Sequence, residues 1–82
     1  MTRAVVWKRK GCPPCDRVVR EIVPVLRMRG VDVEIKDAHD HPCEAMRDGI
    51  DVFPTIVADT PTGRVTVKGY PPDAAMSDII GG

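Results

Sequence analysis

The stretch Cys12-Pro13-Pro14-Cys15 constrains this chain more than any other feature. It follows a short apolar run at residues 4–7 and precedes a segment in which apolar residues recur at helical spacing. Two thiols with this spacing at the start of a helix can alternate between a dithiol and a disulfide, and the helix N-terminus favours the thiolate form of the first. The pattern therefore indicates thiol–disulfide exchange first and zinc binding second.

The chain has 82 residues, which suits one domain over residues 1–82 with a single small core. Its net charge is zero, but the charge is uneven: residues 1–30 hold eight Lys and Arg against two acidic residues, and residues 31–82 hold four against ten. The cysteine pair lies in the basic half. A positive rim that attracts acidic partners and the solvated face of one helix are both consistent with this distribution.

Several classes of protein are disfavoured. No stretch approaches the roughly 20 apolar residues of a membrane span, and the run at residues 4–7 is too short for the core of a signal peptide. No basic run is interleaved with aromatic residues, so nucleic-acid binding is not predicted. We therefore expect a cytoplasmic protein without membrane contact, in which a close cysteine pair is more often catalytic or metal-binding than structural.

Apolar periodicity, glycine and proline predict the order strand-helix-strand-helix-strand-strand-helix. We expect strands at 4–8, 31–36, 55–58 and 64–68, a first helix from about Pro14 to Gly30, a short helix at 42–48 capped by Asp40, and a last helix at 72–80. Pro24 should kink the first helix near residues 20–23, because proline lacks an amide hydrogen. A parallel βαβ unit followed by a hairpin gives an α/β fold with a four-stranded mixed sheet and helices on both faces.

In this arrangement the chain resembles the thioredoxin/glutaredoxin superfamily in its smallest form, βαβαββα, over essentially its whole length. The Cys12-Pro13-Pro14-Cys15 stretch lies between the first strand and first helix. Phe53-Pro54-Thr55 precedes the third strand, where this family has a cis-proline, and Gly69-Tyr70-Pro71-Pro72-Asp73 follows the fourth. A C-x-x-C pair alone is a weak signal, whereas the three landmarks in this order are specific. The resemblance implies a minimal thioredoxin fold.

The likeness is greatest to small glutaredoxin-like redoxins, including those that serve ribonucleotide reductase, whose basic-x-small lead-in is similar to Arg9-Lys10-Gly11. The chain departs from thioredoxin proper by Gly11 before the first cysteine. It departs from glutaredoxin proper by Pro14 in place of tyrosine, by Val52-Phe53 before the proline and by Gly69-Tyr70 in place of a glycine pair. These departures weaken the case for tight glutathione binding.

The resemblance implies a dithiol–disulfide oxidoreductase that carries electrons, with Cys12 as the nucleophile and Cys15 as the resolving thiol. It also implies a set of substrate-binding residues: Arg9, Lys10, Phe53, Pro54, Thr55, Gly69, Tyr70 and Asp73. For Asp73, capping of the last helix is an equal alternative. The expected partners are a disulfide-containing protein such as ribonucleotide reductase and a reductase of the thioredoxin-reductase type, with glutathione as the alternative reductant. No bound cofactor or metal is expected beyond the redox-active disulfide, and carriers of this kind are monomers.

Two further expectations concern individual residues. Because prolines 13 and 14 have no amide hydrogen, the first amides available to a Cys12 thiolate belong to Cys15 and Asp16, and we expect them to lower the Cys12 pKa. His39, His41 and Cys43 lie two apart and would share one face of an extended chain. Such a trio can bind zinc, and the alternative is a polar loop before a short helix, with Cys43 as a regulatory thiol. A small zinc-binding or docking module therefore stays open as a more distant function.

Overall fold

Four strands and four helices follow one another along residues 1–81, the part of the chain that the computed structural model describes. Their bounds are β1 (Arg3–Lys8), α1 (Pro13–Glu21), α2 (Val23–Met28), β2 (Asp32–Asp37), α3 (Pro42–Arg47), β3 (Thr55–Thr60), β4 (Gly63–Lys68) and α4 (Asp73–Ile80). The order βαβαββα is confirmed, with the first helical segment divided into two helices.

The strands form one sheet in the order β2-β1-β3-β4. β1 pairs in parallel with β2, whereas β1 with β3 and β3 with β4 are antiparallel. At the centre of the sheet Val6 lies opposite Ile35 on one side and Ile56 on the other. The α1–α2 crossover joins the parallel strands β1 and β2, and a hairpin joins the antiparallel strands β3 and β4. The predicted four-stranded mixed sheet is therefore confirmed.

Alternation along the strands divides the buried side chains between two faces of the sheet. We call these the α1 face, which α1, α2 and α4 cover, and the α3 face, which α3 covers. The α1 face carries the larger core: Ala4, Val6, Val18, Ile22, Val23, Leu26, Val31, Val33, Ile56, Ala58, Val67 and Ile79. The α3 face carries a smaller one, built on Trp7, Ala45 and Val57. Helices therefore lie on both faces, as predicted.

The break between α1 and α2 falls at Ile22, inside the range predicted for a kink. Pro24 has no amide hydrogen to donate to the carbonyl of Arg20, and its ring would meet that carbonyl in a continuous helix. The chain resumes helical bonding when the amide of Leu26 donates to the Ile22 carbonyl at 3.0 Å. The guanidinium of Arg27 then donates to the Val33 carbonyl at 3.1 Å, which ties α2 to β2.

The predicted cap of the short helix is wrong. His41, not Asp40, is the N-cap of α3, and it makes no side-chain cap bond. The turn is organised one step earlier by Asp37, whose carboxylate accepts from the His39 amide at 2.8 Å. The Asp37 carbonyl also accepts from the amides of Asp40 and His41, at 3.0 and 3.1 Å. The last residue of β2 therefore fixes the entry to α3.

The hairpin is tighter than predicted, because β3 and β4 extend until Thr60 pairs with Gly63. Two residues, Pro61 and Thr62, remain in the turn. The Thr60 hydroxyl donates to the Gly63 carbonyl at 2.7 Å, and Gly63 adopts a positive φ of 136° that favours glycine. Among residues 1–81, no helix is long and apolar enough to cross a bilayer.

Candidate active site

The cysteine pair lies where β1 gives way to α1. Cys12 is the N-cap of α1 in an extended conformation, and its Sγ accepts a hydrogen bond from the Cys15 amide at 3.2 Å. The two residues form a disulfide with their Cα atoms 5.2 Å apart. Cys15 is fully buried and Cys12 is 6% exposed, so an incoming group reaches the sulfur of Cys12 before that of Cys15.

Only one of the two amides predicted for the Cys12 sulfur points at it. The Asp16 amide donates to the Cys12 carbonyl oxygen at 3.1 Å and so belongs to the first helical turn. Cys15 therefore supplies both the second thiol and the amide hydrogen that faces the first. Gly11 immediately before the pair has a φ of 68°, a conformation that strains other residues, and this turn directs the chain from the sheet into α1.

The Phe53–Pro54 peptide bond is cis, as the resemblance implied. Two hydrogen bonds hold the surrounding loop: the Thr55 hydroxyl donates to the Val52 carbonyl at 2.8 Å, and the Gly69 amide donates to the Pro54 carbonyl at 2.7 Å. Thr55 pairs with the end of β1, from which the chain runs on to the cysteines. The structure thus brings the proline loop and Gly69 to the same end of the sheet as the cysteine pair.

The basic residues before the cysteines lie at this same end. The guanidinium carbon of Arg9 is 5.6 Å from the centre of the Phe53 ring, within range of a cation–π contact. Lys10 is exposed in the turn that precedes Cys12. Arg9 therefore connects the segment before the nucleophile to the proline loop, while Lys10 adds a solvated positive charge beside it.

Tyr70 contacts the side of α1. Its hydroxyl donates to Glu21 Oε1 at 2.9 Å, and its ring lies 4.5 Å from the guanidinium carbon of Arg17. The hydrogen bond from Tyr70 is the main cause of a lowered Glu21 pKa, to which Arg17 and Arg20 add, while desolvation opposes it. The same bond raises the pKa of Tyr70. The segment after β4 is therefore fastened to α1 through a charged network.

A groove of about 360 Å³ opens beside the cysteine pair. It is lined by Pro13, Pro14, Arg17, Arg20 and Tyr70. Sequence reasoning assigned Tyr70 to the substrate side but missed the two arginines. Their spacing of four and seven residues from Pro13 places them on one helical surface with it, which is the signal that identifies them.

Asp73 does not cap the last helix. Pro72 is the N-cap of α4, no side chain makes a cap bond there, and Asp73 is the first helical residue. Its charge acts on Tyr70 and contributes to the raised pKa of that phenol. The structure therefore rejects the capping alternative and places Asp73 close to the tyrosine that lines the groove.

The alternative zinc trio does not converge. His41 Nδ1 lies 3.4 Å from Glu44 Oε1, and Cys43 is an exposed free thiol in the first turn of α3. Within residues 1–81, no three His, Cys, Asp or Glu side chains are placed to hold a metal ion. Lys36 pairs with Glu44 instead, which lowers the pKa of Glu44 and raises that of Lys36.

A second groove of similar volume lies at the opposite end of the sheet, where Arg3 pairs in register with Asp32 and Asp59. Three of its four charged residues have partners, since Arg3 Nε is 3.6 Å from Asp32 and Arg64 Nε is 2.8 Å from Asp59. It contains neither cysteine of the pair. The site with redox chemistry is therefore the one at the start of α1.

No protein-family model matches the chain, and no curated protein matches it, but solved structures do. Chloroplastic thioredoxin z is 27% identical with a TM-score of 0.82, covering 99% of this chain and 76% of that one. Oxidised mitochondrial thioredoxin 3 from Saccharomyces cerevisiae is 18% identical with a TM-score of 0.81, covering 95% and 76%. Fasciola hepatica thioredoxin is 16% identical with a TM-score of 0.81, covering 95% and 77%.

The last two likenesses show the fold, and thioredoxin z extends the match at higher identity over nearly the whole chain. The fold carries a disulfide at the start of α1, in which Cys12 is 6% exposed and Cys15 is fully buried. A cis-proline loop lies at the same end of the sheet. The chain therefore has the fold and the cysteine pair of thiol–disulfide oxidoreductases of the thioredoxin/glutaredoxin superfamily.

Proposed function

We propose that this protein is an electron carrier that reduces disulfides in partner proteins through Cys12 and Cys15. The observation that carries the proposal is the unequal exposure of the pair: Cys12 is 6% exposed and has an amide directed at its sulfur, while Cys15 is fully buried. The nucleophile and the resolving thiol are thereby distinguished by position.

The reaction proceeds in two exchanges. The Cys12 thiolate attacks one sulfur of the substrate disulfide, forms a mixed disulfide and releases the other substrate sulfur as a thiolate that takes up a proton. Cys15 then loses its proton and attacks the Cys12 sulfur, which breaks the mixed disulfide and frees the second substrate thiolate. Two electrons and two protons pass to the substrate, and the chain ends with its Cys12–Cys15 disulfide. The N-terminus of α1 stabilises the Cys12 thiolate that begins the first exchange.

The substrate would lie across the end of the sheet that holds the cysteines. Main-chain pairing beside the Phe53-Pro54-Thr55 loop would give affinity with little dependence on sequence. The segment of Gly69, Tyr70 and Asp73 would border the substrate on one side, and Arg9 and Lys10 would border it before Cys12. These assignments follow from the common location of the loop, the turn before α1 and the tyrosine.

We further propose that an NADPH-dependent reductase of the thioredoxin-reductase type restores the dithiol, and that the carrier works in the cytoplasm as a monomer. Its protein substrate would be an enzyme that forms a disulfide in each turnover, of which ribonucleotide reductase is the example that the resemblance implies. Glutathione is the alternative reductant.

The test offers the oxidised protein two reducing systems in parallel: thioredoxin reductase with NADPH, and glutathione with glutathione reductase and NADPH. Consumption of NADPH and free thiols on the protein are both measured. The control is the double variant Cys12→Ser, Cys15→Ser, which has no disulfide to reduce. Reduction by the first system supports the proposal. Reduction by glutathione alone would make the protein a glutaredoxin, and no reduction by either system would overturn the carrier function.

A further inference from the structure

The groove beside the cysteine pair carries two arginines on an otherwise apolar floor. Pro13 and Pro14, which lie directly between the two cysteines in the sequence, line it together with Tyr70. Arg17 and Arg20 complete the lining, with side chains 58% and 71% exposed. Because Pro13 directly follows Cys12, a group bound in this groove would lie beside the reactive cysteine.

One carboxylate of the chain already binds these arginines. Glu21 Oε2 accepts from Arg17 Nε at 3.1 Å and forms an ion pair with Arg20 at 3.5 Å, while Oε1 accepts from the Tyr70 hydroxyl at 2.9 Å. All of these contacts are made at the surface, where exchange with an external group costs little. The contacts of Glu21 therefore show that the two arginines and the phenol bind a carboxylate.

The charge around the groove favours the same occupant. Residues 1–30 carry eight basic and two acidic residues, and Arg9 and Lys10 add exposed positive charge before Cys12. The carboxylates that oppose this are Asp16, exposed in the first turn of α1, and Asp73, whose charge acts on Tyr70. Glu21 itself is occupied by three partners. The balance at the groove is positive, which attracts a negatively charged segment.

We propose that Arg17, Arg20 and Tyr70 form a carboxylate-binding surface that selects protein disulfides flanked by acidic side chains, and that Glu21 occupies this surface in the free protein. The inference rests on the proposed function, because the bound segment is that of a substrate whose disulfide faces Cys12. A substrate glutamate takes the place of Glu21 on the arginines, while the apolar floor accepts the neighbouring part of the segment.

The test uses two synthetic peptide pairs, each made of two arms joined by one disulfide. One arm carries a fluorophore and the other a quencher, so that reduction raises fluorescence. In the acidic pair two glutamates flank one cysteine, and in the neutral pair two glutamines do. The protein is first reduced and freed of reductant, so it supplies both electrons in a single turnover. The quantity measured is the ratio of the rate constant for the acidic pair to that for the neutral pair.

We expect a ratio of about three or more in the unmodified protein, because an exposed charge pair contributes modestly and salt weakens it further. Arg17→Gln with Arg20→Gln should bring the ratio close to unity. Glu21→Gln should raise it, because the competing carboxylate is gone. The charge-matched control is Arg29→Gln with Arg47→Gln, two exposed arginines outside the groove, which should leave the ratio as it was.

The outcomes separate the inference from the function on which it rests. If both pairs are reduced at the same rate by the unmodified protein, or if the ratio survives the loss of Arg17 and Arg20, the carboxylate-binding surface is wrong and the carrier function stands. An equal fall in the ratio with the control variant would show a net-charge effect and would also overturn the inference. If neither pair is reduced, both proposals fail. Because each ratio is taken within one protein, a loss of folded protein alters both rates alike.

Discussion

Two helices of this protein, α1 and α3, have cysteine at their start, and only α1 gives it the surroundings of a redox centre. Cys12 precedes the nine-residue α1, accepts an amide hydrogen bond at its sulfur and has a second cysteine beneath it. Cys43 lies in the first turn of the six-residue α3, after an N-cap that makes no side-chain bond, and is exposed and unpaired by any disulfide. A helix start is therefore a small part of what defines the site.

α1 and α3 also pack on hydrophobic cores of different size. α1 packs with α2 and α4 on the larger core, while α3 adds its own Ala45 to two buried residues, Trp7 and Val57, on the opposite face of the sheet. The amide that faces a nucleophile must be held in a fixed direction. A helix packed on a large core, such as α1, holds its amides more firmly than a short helix on a small core, such as α3. The reactivity of Cys12 therefore depends on Cys15 and on the α1 face together.

Serine substitutions of Cys12 and Cys43 test whether the two helix starts differ in reactivity. Cys12→Ser should reduce protein disulfide reductase activity to the rate of the uncatalysed reaction, because serine is not a nucleophile toward sulfur at neutral pH. Cys43→Ser should keep full activity. The measurement is the reduction of a protein disulfide under a fixed reducing system. Activity retained without Cys12, or lost without Cys43, would reverse the assignment of the two helix starts.

Valine-to-alanine substitutions on the neighbouring strands β1 and β3 compare how much each core contributes to the free energy of unfolding. Val6 is fully buried on the α1 face, and Val57 is 8% exposed on the α3 face. We expect Val6→Ala to lower the free energy of unfolding by about 2–3 kcal/mol and Val57→Ala by about 1 kcal/mol, because a cavity in the larger core relaxes less. Urea unfolding of the oxidised proteins, followed by circular dichroism, measures both. Equal losses would show that the two faces are packed alike.

The element order was predictable because proline and glycine mark most boundaries. Gly11, Pro24 and Gly30 delimit the helical segments, and alternating valines identify the buried strands. The cis bond at Pro54 came from the resemblance and not from the residues themselves, since most bonds before proline are trans.

The contacts that shape the groove were not predictable from local patterns. Glu21 and Tyr70 lie 49 positions apart and meet only because the fold brings the segment after β4 to α1. The missed cap has a similar cause: Asp40 has the right chemistry for an N-cap, but it lies in the turn that Asp37 organises, and the helix begins one residue too late for it. Side-chain partners depend on tertiary placement, which periodicity does not encode.

Chemical labelling of the reduced protein compares the reactivity of the Cys12 and Cys43 thiols. At a pH of about 6, iodoacetamide should modify Cys12 about ten-fold faster than Cys43, because the helix start and the Cys15 amide favour the reactive thiolate. Peptide mass spectrometry after short exposures gives both rates in one sample. Cys43 is the more exposed thiol, so preferential labelling of Cys43 would mean that access, not thiolate character, governs reactivity here.

The smallest expected effect concerns the charged pair that supports the weaker helix. The bond from Lys36, together with its charge, lowers the pKa of Glu44 below its ordinary value of 4.5, so the folded protein holds this carboxylate ionised to lower pH than the unfolded chain does. The resulting stabilisation is present above pH 4.5 and is lost as the pH falls through the lowered pKa. Glu44→Gln should therefore reduce stability slightly at neutral pH and have no effect in acid.

Glu21→Gln is the matched variant on α1, since the pKa of Glu21 is also lowered and its side chain is about equally exposed, at 38% against 35% for Glu44. Lys36, the partner of Glu44, is only 16% exposed, whereas the arginines that pair with Glu21 are mostly in solvent. Solvent screens the ion pairs of Glu21 more than the Lys36–Glu44 pair. Glu44→Gln should therefore cost more stability than Glu21→Gln. Urea unfolding of both variants at neutral pH and below pH 4.5 decides this. A larger cost at Glu21 would mean that the bridge to Tyr70 holds the α1 side together more firmly than the Lys36 pair holds α3.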